Sequence, residues 1–222
     1  MLDPVSQLPS LKQTLSKLDL RAKKSFGQNF LLDNNITDRI AQAAAPFKGS
    51  IIEIGPGPGG LTRSILLNGA QKIIAIEKDR RAVSYLEDLQ KAAGERLTVV
   101  EADALTLPVW EFGQQPRQIV ANLPYNIATP LLVQWLEHAG AFTKMTLMFQ
   151  KEVAERIIAK PGDSNFGRLS VLCNWLTFSE ILFEVPSTAF TPPPKITSAV
   201  IQLIPRQKPE FECSLKNLEK VT

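Results

Sequence analysis

The sequence predicts an α/β fold on a mostly parallel sheet, and three observations predict it. Short apolar runs bounded by glycine, proline or charge recur along the chain. Stretches of helical pattern lie between most of them. Near the end the rhythm breaks into two strand-like runs with no room for a helix between them. Strands alternating with helices argue for parallel pairing with helices on both faces, and strands covered on both faces are apolar throughout.

Taken in order, SIIEI (50–54), KIIAIE (72–77), LTVVEA (97–102), QIVAN (118–122) and KMTLMF (144–149) read as short buried strands. LTRSILLNGA, RRAVSYLEDLQKAA and TPLLVQWLEHAG read as helices between them, and KEVAERIIA follows the fifth strand. SEILFEV (179–185) and SAVIQLI (198–204) are joined by PSTAFTPPPKIT, so they read as an antiparallel pair on the sheet edge. The polar tail RQKPEFECSLKNLEKVT stops in what reads as the first turns of a helix. No internal repeat is visible.

With 222 residues and 44% hydrophobic content, the chain can bury one full core with a small appendage. No apolar run is long enough for a membrane span, and the N-terminus lacks the apolar centre of a signal peptide. Cys173 and Cys213 show neither metal-ligand spacing nor a disulfide framework, so a reducing, cytoplasmic setting is expected. The net charge of +3 is mild, but Lys12, Lys17, Arg21, Lys23 and Lys24 face only Asp19 in their stretch. Such an arm suits phosphates; a solvated leader accounts for it equally.

The strand SIIEI runs into Gly55-Pro-Gly57-Pro-Gly59-Gly60 and then a helix. Glycines there let the backbone pass close to a ligand, although a tight turn without one has the same composition. KIIAIE ends in Glu77, whose carboxylate can accept both hydroxyls of a ribose. The third strand runs into Asp103, placed to accept from an adenine amine. Each acid alone reads as an ordinary surface carboxylate. Three such features at the ends of three consecutive strands point to an adenosine-containing cofactor.

QIVAN ends in Asn122-Leu123-Pro124-Tyr125, an amide followed by a stiff aromatic corner. An exocyclic adenine amine is a poor nucleophile because its lone pair is delocalised. The Asn122 side-chain oxygen and the Leu123 carbonyl can each accept one N–H, which turns the lone pair toward a methyl donor. Pro124 keeps both acceptors aimed, and Tyr125 offers a face for the base. A strand-end turn with an aromatic plug is the plain alternative.

The glycine pattern with Glu53 two residues before it resembles motif I of S-adenosylmethionine (SAM) methyltransferases, and the corner resembles the [Asn/Asp]-Pro-Pro-[Tyr/Phe] motif of amino-methyltransferases. Nearly the whole chain resembles the small-subunit ribosomal RNA adenine dimethyltransferase family, which is itself similar to the erythromycin-resistance methyltransferases. The resemblance is carried by KKSFGQNFL (23–31), EIGPGPGGLT (53–62), IEKD (76–79), EADAL (101–105), NLPYNIATP (122–130), FQKEVAERI (149–157), FGRLSV (166–171) and FTPPPKITSAV (190–200).

The resemblance implies a Rossmann-like class I SAM methyltransferase with a seven-stranded, mostly parallel sheet and an antiparallel edge hairpin. It implies a basic arm and cofactor-closing segment over 1–50, a methyltransferase domain over 51–205, and over 206–222 the start of a truncated helical C-terminal domain. Gln28, Asn29, Leu31, Gly55, Gly57, Glu77, Asp103 and Asn122 are expected to hold the cofactor. Asn122, Leu123, Pro124, Tyr125 and Phe190 are expected at the target base, Phe190 stacking opposite Tyr125. The implied partner is 16S rRNA within immature small subunits, dimethylated at N6 of two adjacent adenosines in its 3′-terminal hairpin by a monomeric enzyme. No metal or membrane is expected.

Two other classes stay open at this point. A ribosome-assembly binding factor would account for the basic arm, and an amino-methyltransferase acting on another substrate would account for Asn-Leu-Pro-Tyr. FTPPPKITSAV favours the small-subunit family. His138 reads as a helix-terminus residue, and Thr197 carries no assigned role. Lys195, Arg156 and Arg168 read as solvated or as RNA-facing. Trp110, Trp135 and Trp175 read as core.

Overall fold

The computed structural model describes residues 2–11, 13 and 29–213. Seven strands form one sheet: β2 (Ser50–Ile54), β3 (Ile73–Glu77), β4 (Leu97–Glu101), β5 (Arg117–Asn122), β6 (Lys144–Gln150), β7 (Thr177–Val185) and β9 (Ser198–Pro205), in the order β4-β3-β2-β5-β6-β9-β7. β2 pairs in parallel with β3 and β5, and the order reverses direction across β2. Ligands of open α/β sheets sit outside the carboxyl ends of the strands at such a point. β9 is antiparallel to both β6 and β7. The last of the described strands is thus wedged inside the sheet, whose edges are β7 and β4.

Alternate residues of each strand face opposite sides, and both sides are apolar. On one side Ile52, Ile54, Ile74, Ile76, Ile119 and Ala121 pack with Leu131, Leu132 and Trp135 of helix α4 (Tyr125–Glu137). Helices α5 (Lys151–Ile158) and α6 (Arg168–Leu176) extend this layer through Ala154, Ile157 and Cys173. On the other side Ile51, Ile73, Ala75 and Val120 pack with α1 (Asn34–Ala44), α2 (Gly60–Leu67) and α3 (Arg80–Ala93). Trp135 is fully buried, and burial pushes the Cys173 thiol up, as befits a packing residue.

Helix ends follow local chemistry. Asp79 caps α3 by accepting from Arg81 N at 3.1 Å. Asp33 caps α1 by accepting from Asn35 N at 2.9 Å. Neither α1 nor α6 is among the helices expected from sequence, although Asp33 is a legible cap. α4 begins four residues earlier than the run starting at Thr129. Pro130 lies inside it, where its missing N–H leaves only the Asn126 carbonyl without its helical donor.

Gly59 opens α2 at φ +88°, and a Cβ there would lie 2.8 Å from Leu86 Cδ2 of α3. Gly59→Ala is therefore expected to cost about 1–2 kcal/mol, read as a lower denaturation midpoint, because the left-handed backbone disfavours any L side chain.

A two-residue antiparallel pair lies apart from the main sheet. β1 (Phe30–Leu31) meets β8 (Phe190–Thr191), with Leu31 opposite Phe190. The start of the chain is tied down beside it. Val5 is fully buried, Asp3 and Arg96 form a two-pronged ion pair at 2.8 and 2.9 Å, and Arg63 donates to the carbonyls of Leu8 and Pro9 at 2.8 and 2.7 Å.

Candidate active site

A cavity of about 240 Å³ opens at the carboxyl ends of β2, β3, β4 and β5. Its lining brings together Asn29, Leu31, Gly55, Gly57, Glu77, Asp103, Asn122, Leu123, Pro124, Tyr125 and Phe190. Every site residue expected from sequence lines it except Gln28, which lies outside the described residues together with Lys12, Lys17, Arg21, Lys23 and Lys24. The β1–β8 pair accounts for two arrivals from distant sequence, Leu31 and Phe190.

Glu77 organises the glycine turn. Its Oε2 accepts from Gly57 N at 2.9 Å and its Oε1 accepts from Asp79 N at 2.8 Å. Burial pushes its carboxyl up, and these two backbone donors pull it back toward the charged form. A carboxylate offers about four lone-pair sites, so two remain for ribose hydroxyls. Asp103 is engaged differently. Its Oδ2 meets Lys78 Nζ at 2.7 Å and its Oδ1 accepts from Leu105 N at 3.1 Å. Lys78 beside it holds its carboxyl below the usual carboxylate range. Lys78 was not among the site residues expected here, although it lies within the IEKD (76–79) run that carries the resemblance.

Glu53 is almost fully buried on β2, and its Oε2 has no hydrogen-bond partner among the described residues. Burial pushes its carboxyl up to about 8, Thr62 pulls the other way, and the Glu77 charge adds to the rise. Between its ordinary 4.5 and about 8, the unfolded chain carries Glu53 ionised while the folded chain keeps it protonated. Folding then takes up a proton, and the contribution of this group falls as pH rises through that window. Glu53→Gln is expected to match wild-type thermal stability near pH 4.5 and to exceed it at pH 8, by on the order of a few kcal/mol. Parallel melting-temperature curves for the two proteins would count against this.

The corner is rigid and open toward the cavity. Asn122 ends β5, Pro124 holds φ −58° as the cap of α4, and Tyr125 starts the helix. Among the described residues nothing donates to the Asn122 side chain or to the Leu123 carbonyl. Both acceptors are unspent at the mouth of the cavity. The Tyr125 hydroxyl lies 2.7 Å from Ser198 Oγ, a partner that no local sequence pattern indicates. Phe190 is 3% exposed.

The pocket suits an adenosine-containing sulfonium. A Cβ on Gly55, at φ +65°, would meet only Pro124 Cδ at 3.7 Å and otherwise point into open space, which is the room a ligand's methionine end would take. Carboxyl groups stand at or just past the ends of three neighbouring strands, and Glu53 Oε2 is a buried polar atom without a partner among the described residues. No group of acids, histidines and cysteines among the described residues could hold a metal ion. His138 follows the last residue of α4 and stacks on Trp110 at 3.7 Å between centroids, so it has a structural partner.

A profile of the family described as ribosomal RNA adenine dimethylase matches residues 19–222. The ribosomal RNA small subunit methyltransferase A of Rhodospirillum rubrum is 48% identical over 220 residues, which span 99% of this chain and 76% of that protein. The protein of the same name from Agrobacterium fabrum is 49% identical, over 98% of this chain and 81% of its own length. Among solved structures, a dimethyladenosine transferase from Plasmodium falciparum superposes with a TM-score of 0.70 at 36% identity, covering 79% of this chain and 62% of that one. The 23S rRNA methyltransferase ErmE superposes with a TM-score of 0.72 at 32% identity, covering 86% and 75%.

Proposed function

Because the chain belongs to the ribosomal RNA adenine dimethylase family, we propose that it dimethylates N6 of two adjacent adenosines in the 3′-terminal hairpin of 16S rRNA, within immature small subunits. The reaction class, SAM-dependent dimethylation of adenine in rRNA, follows from that membership. The identity of 48–49% to the small-subunit enzymes, against 32% to the 23S enzyme, supports the small-subunit substrate. The setting is the cytoplasm and the working form a monomer. Among the described residues no helix is long and apolar enough to cross a membrane.

The observation that carries the reading is the Asn122-Leu123-Pro124-Tyr125 corner opening into the cavity that Gly55, Glu77 and Asp103 line. Bound there, SAM supplies a methyl group already activated on a sulfonium sulfur. Glu77 would accept from its ribose hydroxyls and Asp103 from its adenine amine, and Asn29, Leu31, Gly55 and Gly57 would line its place. The Asn122 side-chain oxygen and the Leu123 carbonyl each accept one N–H of the target amine and draw the nitrogen toward tetrahedral geometry. The work is positioning, and no strong base is required, since the methylated nitrogen loses its proton readily. Tyr125 and Phe190 stack on the two faces of the flipped base, worth about 1–3 kcal/mol per contact. A loop adenosine reaches such a site at lower cost than a paired one. Residues 51–205 serve as the methyltransferase domain and 1–50 as basic arm and cofactor closure; residues 214–222 of the polar tail lie outside the described residues.

The test is methyl transfer from labelled SAM to unmethylated small subunits, followed by nucleoside mass analysis. N6,N6-dimethyladenosine at adjacent positions is the expected product. Label in another nucleoside or in large-subunit RNA would overturn the substrate assignment.

A further inference from the structure

We infer that Ser198 is a positioning residue for the target base: its hydroxyl holds the Tyr125 ring in the orientation that both methyl transfers need. The inference rests on the reading of Tyr125 as a stacking face.

A ring that only stacks needs no hydroxyl, and phenylalanine would present the same face. Here the hydroxyl is tethered. Tyr125 Oη and Ser198 Oγ are 2.7 Å apart, and this is the only hydrogen bond of the phenol among the described residues. Burial pushes the phenol up, so it stays a neutral hydroxyl that can donate or accept. The tether has a firm base. Ser198 is fully buried, pairing with Gln150 of β6 on one side and Val185 of β7 on the other. Lys151 N donates to the neighbouring Thr197 carbonyl at 3.0 Å. The antiparallel course of β9 puts the amino end of that strand, and hence Ser198, at the carboxyl edge of the sheet beside the corner. Pro124 fixes the backbone before Tyr125, but the ring can still turn about its own side-chain torsions. A bond at its far tip removes that freedom. The second transfer needs it more than the first, because N6 then already carries a methyl group and has one N–H left to be oriented by the corner.

The experiment compares Ser198→Ala, Tyr125→Phe, the double variant, Ser198→Thr and Tyr125→Ala in methyl transfer to unmethylated small subunits. Melting temperature and SAM affinity are measured alongside. Ser198→Ala and Tyr125→Phe are each expected to lower kcat about tenfold with KM for the RNA within about twofold, the size of one lost hydrogen bond. Monomethyladenosine is expected to accumulate in both. The double variant is expected to be no worse than either single one, and Ser198→Thr to restore dimethylation. Wild-type kcat and product ratio in Ser198→Ala, or losses that multiply in the double variant, would overturn the inference. If Tyr125→Ala itself behaves as wild type, the stacking role of Tyr125 fails, which is a separate result from a silent Ser198 beside an essential Tyr125.

Discussion

Asn122→Ala is expected to lower kcat for adenosine methylation by about 10²–10³-fold, the usual cost of removing one preorganised polar group aimed at the reacting atom. The fold gives the amide little else to do. It ends β5, lines the cavity, and its side chain has no hydrogen-bond partner among the described residues. Its removal therefore breaks no internal network, and melting temperature is expected to stay within a few degrees. KM for the RNA is expected to change little, since the amide acts on one N–H of a base already stacked. Single-turnover transfer of labelled methyl measures this directly. An unchanged rate would show that the Leu123 carbonyl orients the amine alone.

Glu77→Ala is expected to weaken SAM binding by about 10²-fold or more, measured by titration calorimetry. Two buried backbone donors, Gly57 N and Asp79 N, lose their acceptor, and hydrogen bonds to a charged group are worth about 1.5–3 kcal/mol each. The glycine turn then relaxes at the point where the cofactor passes, and the ribose loses its own acceptor. Glu77→Gln separates the two effects. Its single amide oxygen satisfies one backbone N–H, so an intermediate loss is expected. Asp103→Asn should cost less, about tenfold, because Asp103 is more exposed and already shares its charge with Lys78. Equal losses at Glu77 and Asp103 would contradict the central place given to Glu77.

The five parallel strands were legible from their short apolar runs, and their observed limits differ from the sequence reading by a residue or so; β4, expected to be buried, is a sheet edge that buries only Leu97 and exposes Thr98 and Glu101. The helix read as RRAVSYLEDLQKAA matches Arg80–Ala93, since Asp79 caps it and Gly94 ends it. α1 was missed despite Asp33, because a polar stretch of Asn, Thr and Asp hides a narrow apolar stripe of Ile40, Ala41 and Ala44. The start of α4 was misplaced because proline reads as a first-turn residue, whereas Pro130 here lies in the second turn.

The sequence by itself determined the order of strands and helices, the glycine turn with its acids, and the Asn-Leu-Pro-Tyr corner. Each of these depends on neighbours within a few residues, where backbone period and side-chain chemistry act directly. Tertiary structure alone decided that β9 lies between β6 and β7, that the strand carrying Phe190, a residue already expected at the site, pairs with β1, and that Tyr125 is held by Ser198. Such contacts join residues up to about 160 positions apart. They arise because burying both faces of one sheet admits few arrangements of the last strand, and no local pattern of residues records which one is taken.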